Sequence, residues 1–213
     1  MKIGVSYLSI KDNFKEKVKL IDETDAEYIH VDVMDGEFVE NITRPYEEVL
    51  DALNDTIHPK DVHLMVTRNN LKEYIDNYAK LSPEYITFHL EIIDNDYTEL
   101  VDYIHSKGIK VGIAINPNTS INSLNQYDLS KIDLILVMSV YPGKGGQSFI
   151  LESEDRINSL ASCRKEKGYN FIIEVDGGIN DATIDHITNV DLAVVGSYIT
   201  NSDDYQKQIN SLR

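Results

Sequence analysis

The residues that usually identify secreted, membrane-spanning and nucleic-acid-binding proteins are scarce in this sequence. A single cysteine, Cys163, excludes an internal disulfide framework. No apolar stretch is long enough for a secretory signal or a transmembrane helix, so we expect neither. Basic residues are few as well, because 20 lysines and arginines stand against 36 acidic residues and leave a formal net charge of -16. We therefore predict a cytoplasmic protein with neither nucleic acid nor an anionic membrane as a partner.

The rest of the composition is that of an ordinary globular protein, with 42% hydrophobic and 26% charged residues. A chain of 213 residues is enough for one sizeable core, and no linker or low-complexity region divides it. We therefore predict a single domain over residues 1–213. Within it, eight apolar segments of strand length occupy residues 2–8, 28–33, 61–66, 85–90, 110–115, 134–140, 171–175 and 192–195.

The order of these segments indicates the fold class. Each predicted strand is followed by a segment that we interpret as a helix, and strands this apolar belong to parallel sheets covered on both faces. Eight such units in a chain of this length predict an α/β protein with a single (β/α)8 TIM barrel. An open doubly wound sheet is the alternative, but the glycine fingerprint expected after its first strand is absent.

The stretch YIHVDVMDG, residues 28–36, carries the most unusual pattern in the chain. His30, Asp32 and Met34 alternate with β-branched residues, so in a strand they share one face. An ionised carboxylate is not buried without a partner, because its desolvation costs several kcal/mol. The row therefore predicts a metal ion, a cationic partner or a solvent-filled cleft beside Asp32.

Active sites of TIM barrels lie at the C-terminal ends of the strands, and other ionisable residues fall there too. His63 lies on the third predicted strand and Asp176 follows the seventh, so we expect both to converge with His30 and Asp32. Two imidazoles and two carboxylates suit one divalent ion, which could be zinc, manganese, iron or cobalt. Three further histidines are interpreted as ordinary hydrogen-bonded residues: His58, His105 and His186.

Three consecutive predicted strands lead into glycine-rich turns. Glycine lets backbone N–H groups approach an anion closely, and the last loops of TIM barrels often bind phosphate beside a helix N-terminus. Each turn alone could simply be tight, but the three together favour a phosphate site. The residues concerned are Gly143, Gly145, Gly146, Gly177, Gly178, Gly196 and Ser197.

Two carboxylates beside a divalent ion favour proton transfer next to a carbonyl group. The ion would stabilise an enediolate, while Asp32 and Asp176 would exchange protons with opposite faces of one carbon. That arrangement gives epimerisation, whereas a single base would give isomerisation or exchange. The alternative is that both aspartates only bind the metal. Met34, Met65 and Met138 lie near strand ends and either pack in the core or form an apolar lid that keeps water out.

These motifs resemble those of the ribulose-phosphate 3-epimerases. HVDVMDG, DVHLMV, VMSVYPGKGGQSF, VDGGIN and a late GS occur in the same order as in that family, and the resemblance runs over residues 6–197. It implies a barrel of the ribulose-phosphate-binding type that interconverts ribulose 5-phosphate and xylulose 5-phosphate in the pentose phosphate pathway, usually as a homo-oligomer. The small-molecule partner would be a sugar phosphate.

The resemblance also implies roles for individual residues. It makes His30, Asp32, His63 and Asp176 the metal ligands, with the two aspartates as the acid/base pair. Ser6 would contact the substrate, as would His63. The remaining residues would form the phosphate cradle or surround the substrate, and they are Gly145, Gly146, Gly177, Gly178, Gly196, Ser197, Met34, Met65 and Met138.

Several positions depart from the family pattern, and they affect the substrate rather than the reaction class. Val5 replaces a common proline, while Tyr141 and Lys144 replace an asparagine and a phenylalanine near the expected phosphate. Glu37 and Glu40 stand where histidine and proline are usual.

Two alternative functions stay open at this point. The segment MVTRNNLKEYI resembles the allulose-6-phosphate 3-epimerases, which makes a hexulose phosphate the alternative substrate. A catalytically idle phosphosugar-binding barrel is the alternative from another class, and the intact pair of aspartates argues against it.

Overall fold

The computed structural model describes residues 1–213, and its centre is a closed barrel of parallel strands that pair in sequence order. The last strand closes the barrel against the first. The predicted TIM barrel is therefore confirmed, and every strand end lies within two residues of the predicted one. The strands are β1 (Lys2–Ser6), β2 (Tyr28–Met34), β3 (Lys60–Met65), β4 (Tyr85–His89), β5 (Lys110–Ile115), β6 (Leu134–Met138), β7 (Ile172–Asp176) and β8 (Leu192–Val195).

α-Helices cover the outside of the barrel, and none is long and apolar enough to cross a membrane. Apolar residues at helical spacing form the face that each helix buries against the barrel. In α1 these residues are Phe14, Val18 and Ile21. The helices are α1 (Phe14–Asp22), α2 (Tyr46–Leu53), α3 (Arg68–Tyr78), α4 (Tyr97–Ser106), α5 (Ser153–Lys167), α6 (Ser197–Thr200) and α7 (Tyr205–Asn210).

The expectation that a helix follows every strand is wrong after β5 and β7, where the chain forms only 3-10 turns. After β5 the connection is rich in serine, asparagine and aspartate, whose side chains bond to nearby backbone and so compete with an α-helix. Ser120 accepts the N–H of Asn122, and Asp128 accepts that of Ser130. The shorter turns occupy Ile121–Gln126 and Leu129–Lys131 after β5, and Ile184–His186 after β7.

Alternation along the strands separates an apolar outer face from an interior that contains both polar and apolar residues. Val31 and its odd-numbered neighbours on β2 belong to the core between strands and helices. The pairing register places Asp32 opposite His63 and Met138 opposite Asp176, so the inward positions are continuous around the barrel. The polar inward residues are Ser6, His30, Asp32, Asp61, His63, Thr87, His89, Glu174 and Asp176.

Gly112 tests how tightly this interior is packed. A Cβ added there would lie 2.0 Å from Thr87 Oγ1 and 2.9 Å from Thr87 Cβ, whereas one added at Gly4 would meet nothing nearer than 3.6 Å. We expect Gly112→Ala to lower the free energy of unfolding by about 1–3 kcal/mol through overpacking, with a smaller change for Gly4→Ala. Urea denaturation of both variants measures this, and equal midpoints for the two would contradict the proposed packing.

Candidate active site

Four ionisable side chains meet at the C-terminal end of the barrel interior. β2 contributes His30 and Asp32, β3 contributes His63 and β7 contributes Asp176, and one nitrogen or oxygen atom from each lies within 4.8 Å of all the others. Asp32 Oδ1 is 3.4 Å from His30 Nε2 and 3.3 Å from His63 Nδ1, which is itself 4.0 Å from Asp176 Oδ2. The structure thus brings together the four residues that the sequence placed at strand ends.

The donor atoms of this cluster fit a divalent cation. His30 Nε2 is buried without a hydrogen-bond partner, and it faces the same small space as the carboxylates of Asp32 and Asp176. A buried nitrogen left bare is costly unless a proton or a cation fills the space beside it. Two imidazole nitrogens and two carboxylate oxygens form a ligand set that zinc and the neighbouring transition metals accept.

The two aspartates have opposite protonation preferences. Burial alone would raise the pKa of Asp32, but His30 and His63 hold that pKa well below its usual range. Burial raises the pKa of Asp176 to about 7, and the charge on Asp32 adds to the effect. Without a metal ion, Asp32 is therefore the ionised carboxylate, whereas Asp176 gains a proton as the pH falls through about 7. Titratable pairs whose environments separate their pKa values are typical of acid/base sites.

A second buried cluster lies beneath His30, and sequence reasoning missed it. His30 Nδ1 is 2.6 Å from Asp61 Oδ2 and 3.6 Å from Glu174 Oε1, and all three side chains are buried. Burial and the neighbouring Asp61 raise the pKa of Glu174 well above its usual range, whereas His30 lowers the pKa of Asp61 against the effect of burial. Asp61 therefore accepts the Nδ1 proton of His30 and leaves Nε2 directed at the candidate metal site.

The signal for this cluster was present in the sequence. Asp61 is two residues before His63, and Glu174 is two residues before Asp176, so each shares an inward face with a residue that was singled out. His89 takes an inward position on β4, two residues after Thr87. It is fully buried, its Nε2 lies 2.8 Å from Nε2 of His63, and burial lowers its pKa to about 4.

The remaining histidines bond to acidic neighbours outside the barrel interior, which confirms their interpretation as ordinary residues. Their contacts are His58 with Asp22, His105 with Asp133 and His186 with Glu154.

A cavity of about 540 Å³ opens above the cluster, a size typical of a small-ligand site. Asp32 and Asp176 line it, whereas His30 and His63 are fully buried behind them. Contact between His63 and the substrate stays a prediction. Ser6 also lines the cavity, and its hydroxyl donates to Asp32 Oδ2 at 2.7 Å. This bond fixes the orientation of the Asp32 carboxylate.

The predicted methionines all line the same cavity. Met34, Met65 and Met138 are at most 2% exposed and take inward positions at the strand ends. They form a wall beside the aspartates, since they belong to rigid strands and the loops lie above them. An apolar wall limits water around the carboxylates, which strengthens the electrostatic interactions inside the site.

The glycine-rich turns line the same cavity. The amides of Gly146, Gly177, Gly178 and Ser197 donate to no acceptor within the chain. Gly178 has a φ of 69°, and a Cβ there would lie 2.4 Å from the backbone nitrogen of Phe149, so only glycine fits. All the predicted residues line the cavity, and they are Gly143, Gly145, Gly146, Gly177, Gly178, Gly196 and Ser197. Converging free amides are suited to an anion such as phosphate.

Comparison with known sequences gives matches over most of the chain. The sequence model of the Ribulose-phosphate 3 epimerase family matches residues 2–200. The chloroplastic ribulose-5-phosphate-3-epimerase of Arabidopsis thaliana is 37% identical over 203 residues, which cover 93% of this chain and 70% of that protein. The ribulose-phosphate 3-epimerase of Methanocaldococcus jannaschii is 35% identical over 216 aligned positions, covering 100% of this chain and 90% of that protein.

Comparison with solved structures gives the same fold at low identity. KGPDC from Streptococcus mutans aligns with a TM-score of 0.70 and 10% identity, over 99% of this chain and 94% of that one. The 3-hexulose-6-phosphate synthase from Salmonella typhimurium has a TM-score of 0.70 and 17% identity, over 100% and 96% of the two chains. At these identities the likeness concerns the barrel fold alone.

The raised pKa of Asp176 should make the stability of the metal-free protein depend on pH. Because the folded pKa of about 7 exceeds the ordinary value of 3.8, protonation favours the folded state. This contribution is complete below the ordinary value and is lost as the pH rises to about 7. We expect Asp176→Asn, which cannot titrate, to gain stability relative to the unaltered protein across that window, by at most about 1.4 kcal/mol per pH unit. Urea denaturation between about pH 4 and about pH 7 measures the difference, and a constant difference would contradict the assignment.

Proposed function

This chain belongs to the ribulose-phosphate 3-epimerase family, and from that premise we propose that it interconverts D-ribulose 5-phosphate and D-xylulose 5-phosphate. The reaction inverts carbon 3 of the ketose by removing a proton from one face and returning one to the other. The observation that carries the proposal is the pair of aspartates, Asp32 and Asp176, which line one cavity within a cluster of four side chains that could hold a metal ion.

The proposed ligands are His30, Asp32, His63 and Asp176. A divalent ion bound there would polarise the substrate carbonyl and adjacent hydroxyl, and so acidify the proton on carbon 3. Support for this assignment comes from the unpartnered Nε2 of His30 and from the mutual reach of the four donor atoms. We propose zinc, iron, manganese or cobalt, because mixed imidazole and carboxylate donors accept each of them.

Asp32 and Asp176 are proposed as the acid/base pair. An aspartate ionised near neutral pH can accept the carbon-bound proton, and one that holds a proton can deliver it to the opposite face. Both carboxylates line the cavity, so each is placed to accept a proton from one face of the substrate or to deliver one there, and reversal of the reaction exchanges the two roles. The hydroxyl of Ser6 holds the Asp32 carboxylate in place, while the methionine wall keeps bulk water from the proton-transfer path.

The phosphate of the substrate is proposed to bind the free amides of the glycine-rich turns. Amide dipoles need no net positive charge, so they can hold an anion in a protein whose net charge is -16. The loop after β6 brings Lys144 to this cavity, and the side chain of Gln147 donates to the carbonyls of Tyr141 and Lys144 at 2.7 Å. These bonds hold Tyr141 and Lys144, two of the residues that depart from the family pattern.

The loops above the cavity are tied to one another. Asn41, in the loop after β2, donates from Nδ2 to the carbonyl of Gly143 in the loop after β6 at 2.6 Å. The link ties the loop after β2 to a residue that lines the cavity. We also propose a homo-oligomer in the cytoplasm, with no nucleic acid or membrane partner, as expected from the family resemblance and the acidic composition.

Turnover of ribulose 5-phosphate tests the proposed reaction and its metal together. We expect formation of xylulose 5-phosphate by purified protein, its loss after chelation, and its return when zinc, manganese, iron or cobalt is added back. A comparison of kcat/KM for ribulose 5-phosphate and allulose 6-phosphate should favour the pentulose phosphate.

Two results would contradict the proposal. Full activity after complete removal of metal would exclude a metal-dependent step. Folded, metal-loaded protein that converts the hexulose phosphate and not the pentulose phosphate would correct the substrate while leaving the epimerase chemistry in place.

A further inference from the structure

A line of three side chains joins the candidate metal site to the outside of the barrel. His63 Nε2 is 2.8 Å from His89 Nε2, and His89 Nδ1 is 3.1 Å from Glu91 Oε2. Both histidines are fully buried, whereas the Glu91 side chain is 23% exposed. Glu91 lies just after β4 and outside the cavity, so it contacts neither the proposed substrate site nor the metal ligands directly.

The contact between the two imidazoles holds a single proton. Two bare nitrogens 2.8 Å apart would repel each other, and two N–H groups cannot point at each other across that distance. A second proton on His89 would place a cation at a fully buried position, which is costly. Either His63 donates to a bare Nε2 of His89, or His89 donates to a bare Nε2 of His63.

Glu91 decides between these two arrangements. Its Oε1 accepts the N–H of Asn116 at 2.8 Å and the hydroxyl of Thr119, so the group is engaged as a carboxylate. A carboxylate beside His89 Nδ1 requires a proton on that nitrogen, because two acceptors would repel each other. The Nε2 of His89 is then bare, and His63 must donate to it.

The consequence reaches the candidate metal site. A neutral imidazole that donates from Nε2 has a bare Nδ1, and Nδ1 of His63 is the atom that faces Asp32 Oδ1 and Asp176 Oδ2. In metal-free protein Asp32 Oδ1, 3.3 Å away, competes for a proton on this nitrogen, whereas a divalent ion bound between the two would remove that competition. The reverse arrangement would put a proton on Nδ1 and block it as a ligand.

We propose that Glu91 and His89 are positioning residues that fix the tautomer of His63 and so present its Nδ1 lone pair to the divalent ion. This inference rests on the proposed ligand role of His63. The tautomer of His30 is fixed directly by its hydrogen bond to Asp61. The tautomer of His63 is fixed indirectly, by the Glu91 carboxylate acting through His89. The ring of Phe38 packs on His89 with centroids 4.6 Å apart and helps to cover the relay.

Titration of metal-stripped protein with Co²⁺, followed by its visible absorption, tests the relay. We expect His89→Leu to weaken Co²⁺ binding by about 10- to 100-fold, because His63 Nε2–H loses its acceptor and the other tautomer takes over. His89→Gln should restore most of the affinity, since its amide oxygen can accept from His63. Glu91→Gln should give an intermediate loss because its amide offers His89 either a donor or an acceptor.

Two further variants serve as references. Glu84→Gln changes a carboxylate at the other end of β4, where Glu84 pairs with Lys110, and should leave Co²⁺ binding unchanged. His63→Ala removes the proposed ligand itself, and its Co²⁺ affinity is the reference for a site that lacks this ligand. If the unaltered protein binds no Co²⁺, or if His63→Ala binds it normally, the proposed metal site fails. If both behave as expected and folded His89→Leu binds as tightly as the unaltered protein, the relay alone is overturned.

Nitrogen-15 NMR of histidine-labelled, zinc-loaded protein tests the tautomer without any substitution that could unfold the chain. We expect His63 to be protonated at Nε2 and unprotonated at Nδ1, with His89 protonated at Nδ1. A His63 protonated at Nδ1 in the unaltered protein would overturn the proposal.

Discussion

The pairing of buried acids with buried imidazoles inside the barrel is the constraint on which the rest of the site depends. An isolated charge at a fully buried position costs several kcal/mol. The residues concerned are at most 3% exposed, and they are Asp32, Asp61, His30 and His63. Each carboxylate therefore lies against an imidazole, and burial keeps Glu174 protonated beside Asp61. One ring nitrogen of each metal-site histidine is engaged by the protein, which leaves the other free to act as a ligand.

The barrel interior is divided into layers along its axis, and buried acids and imidazoles occupy the middle layer. Apolar residues such as Tyr28 and Leu134 fill the N-terminal end, the polar cluster lies above them, and the cavity opens at the C-terminal end. Glycines allow segments of the chain to approach closely at two positions. Gly112 lies against Thr87, and Gly178 lies against the backbone of Phe149 in the loop after β6. Strands thus position the reacting groups, while loops supply the amides suited to phosphate.

Much of this arrangement could be predicted from the sequence, because alternation along strands carries it. His30, Asp32 and the glycine turns were found since they interrupt apolar strands at the ends where barrels bind ligands. Asp61 and Glu174 were missed although they share a face with residues that were found. The contact of His89 with His63 depends on how β3 and β4 pair, which the residue pattern within either strand does not show. The 3-10 turns after β5 were missed because side-chain bonding to the local backbone overrides the regular βα alternation.

The central claim is that Asp32 and Asp176 act on opposite faces of carbon 3, and solvent deuterium exchange tests it most directly. Asp32→Asn and Asp176→Asn, with metal contents matched to that of the unaltered protein, are each incubated with ribulose 5-phosphate and with xylulose 5-phosphate in deuterium oxide. We expect each variant to exchange the carbon 3 proton of only one epimer, and the two variants to differ in which epimer that is. If one variant exchanges both epimers and the other exchanges neither, a single base serves both faces and the account is wrong.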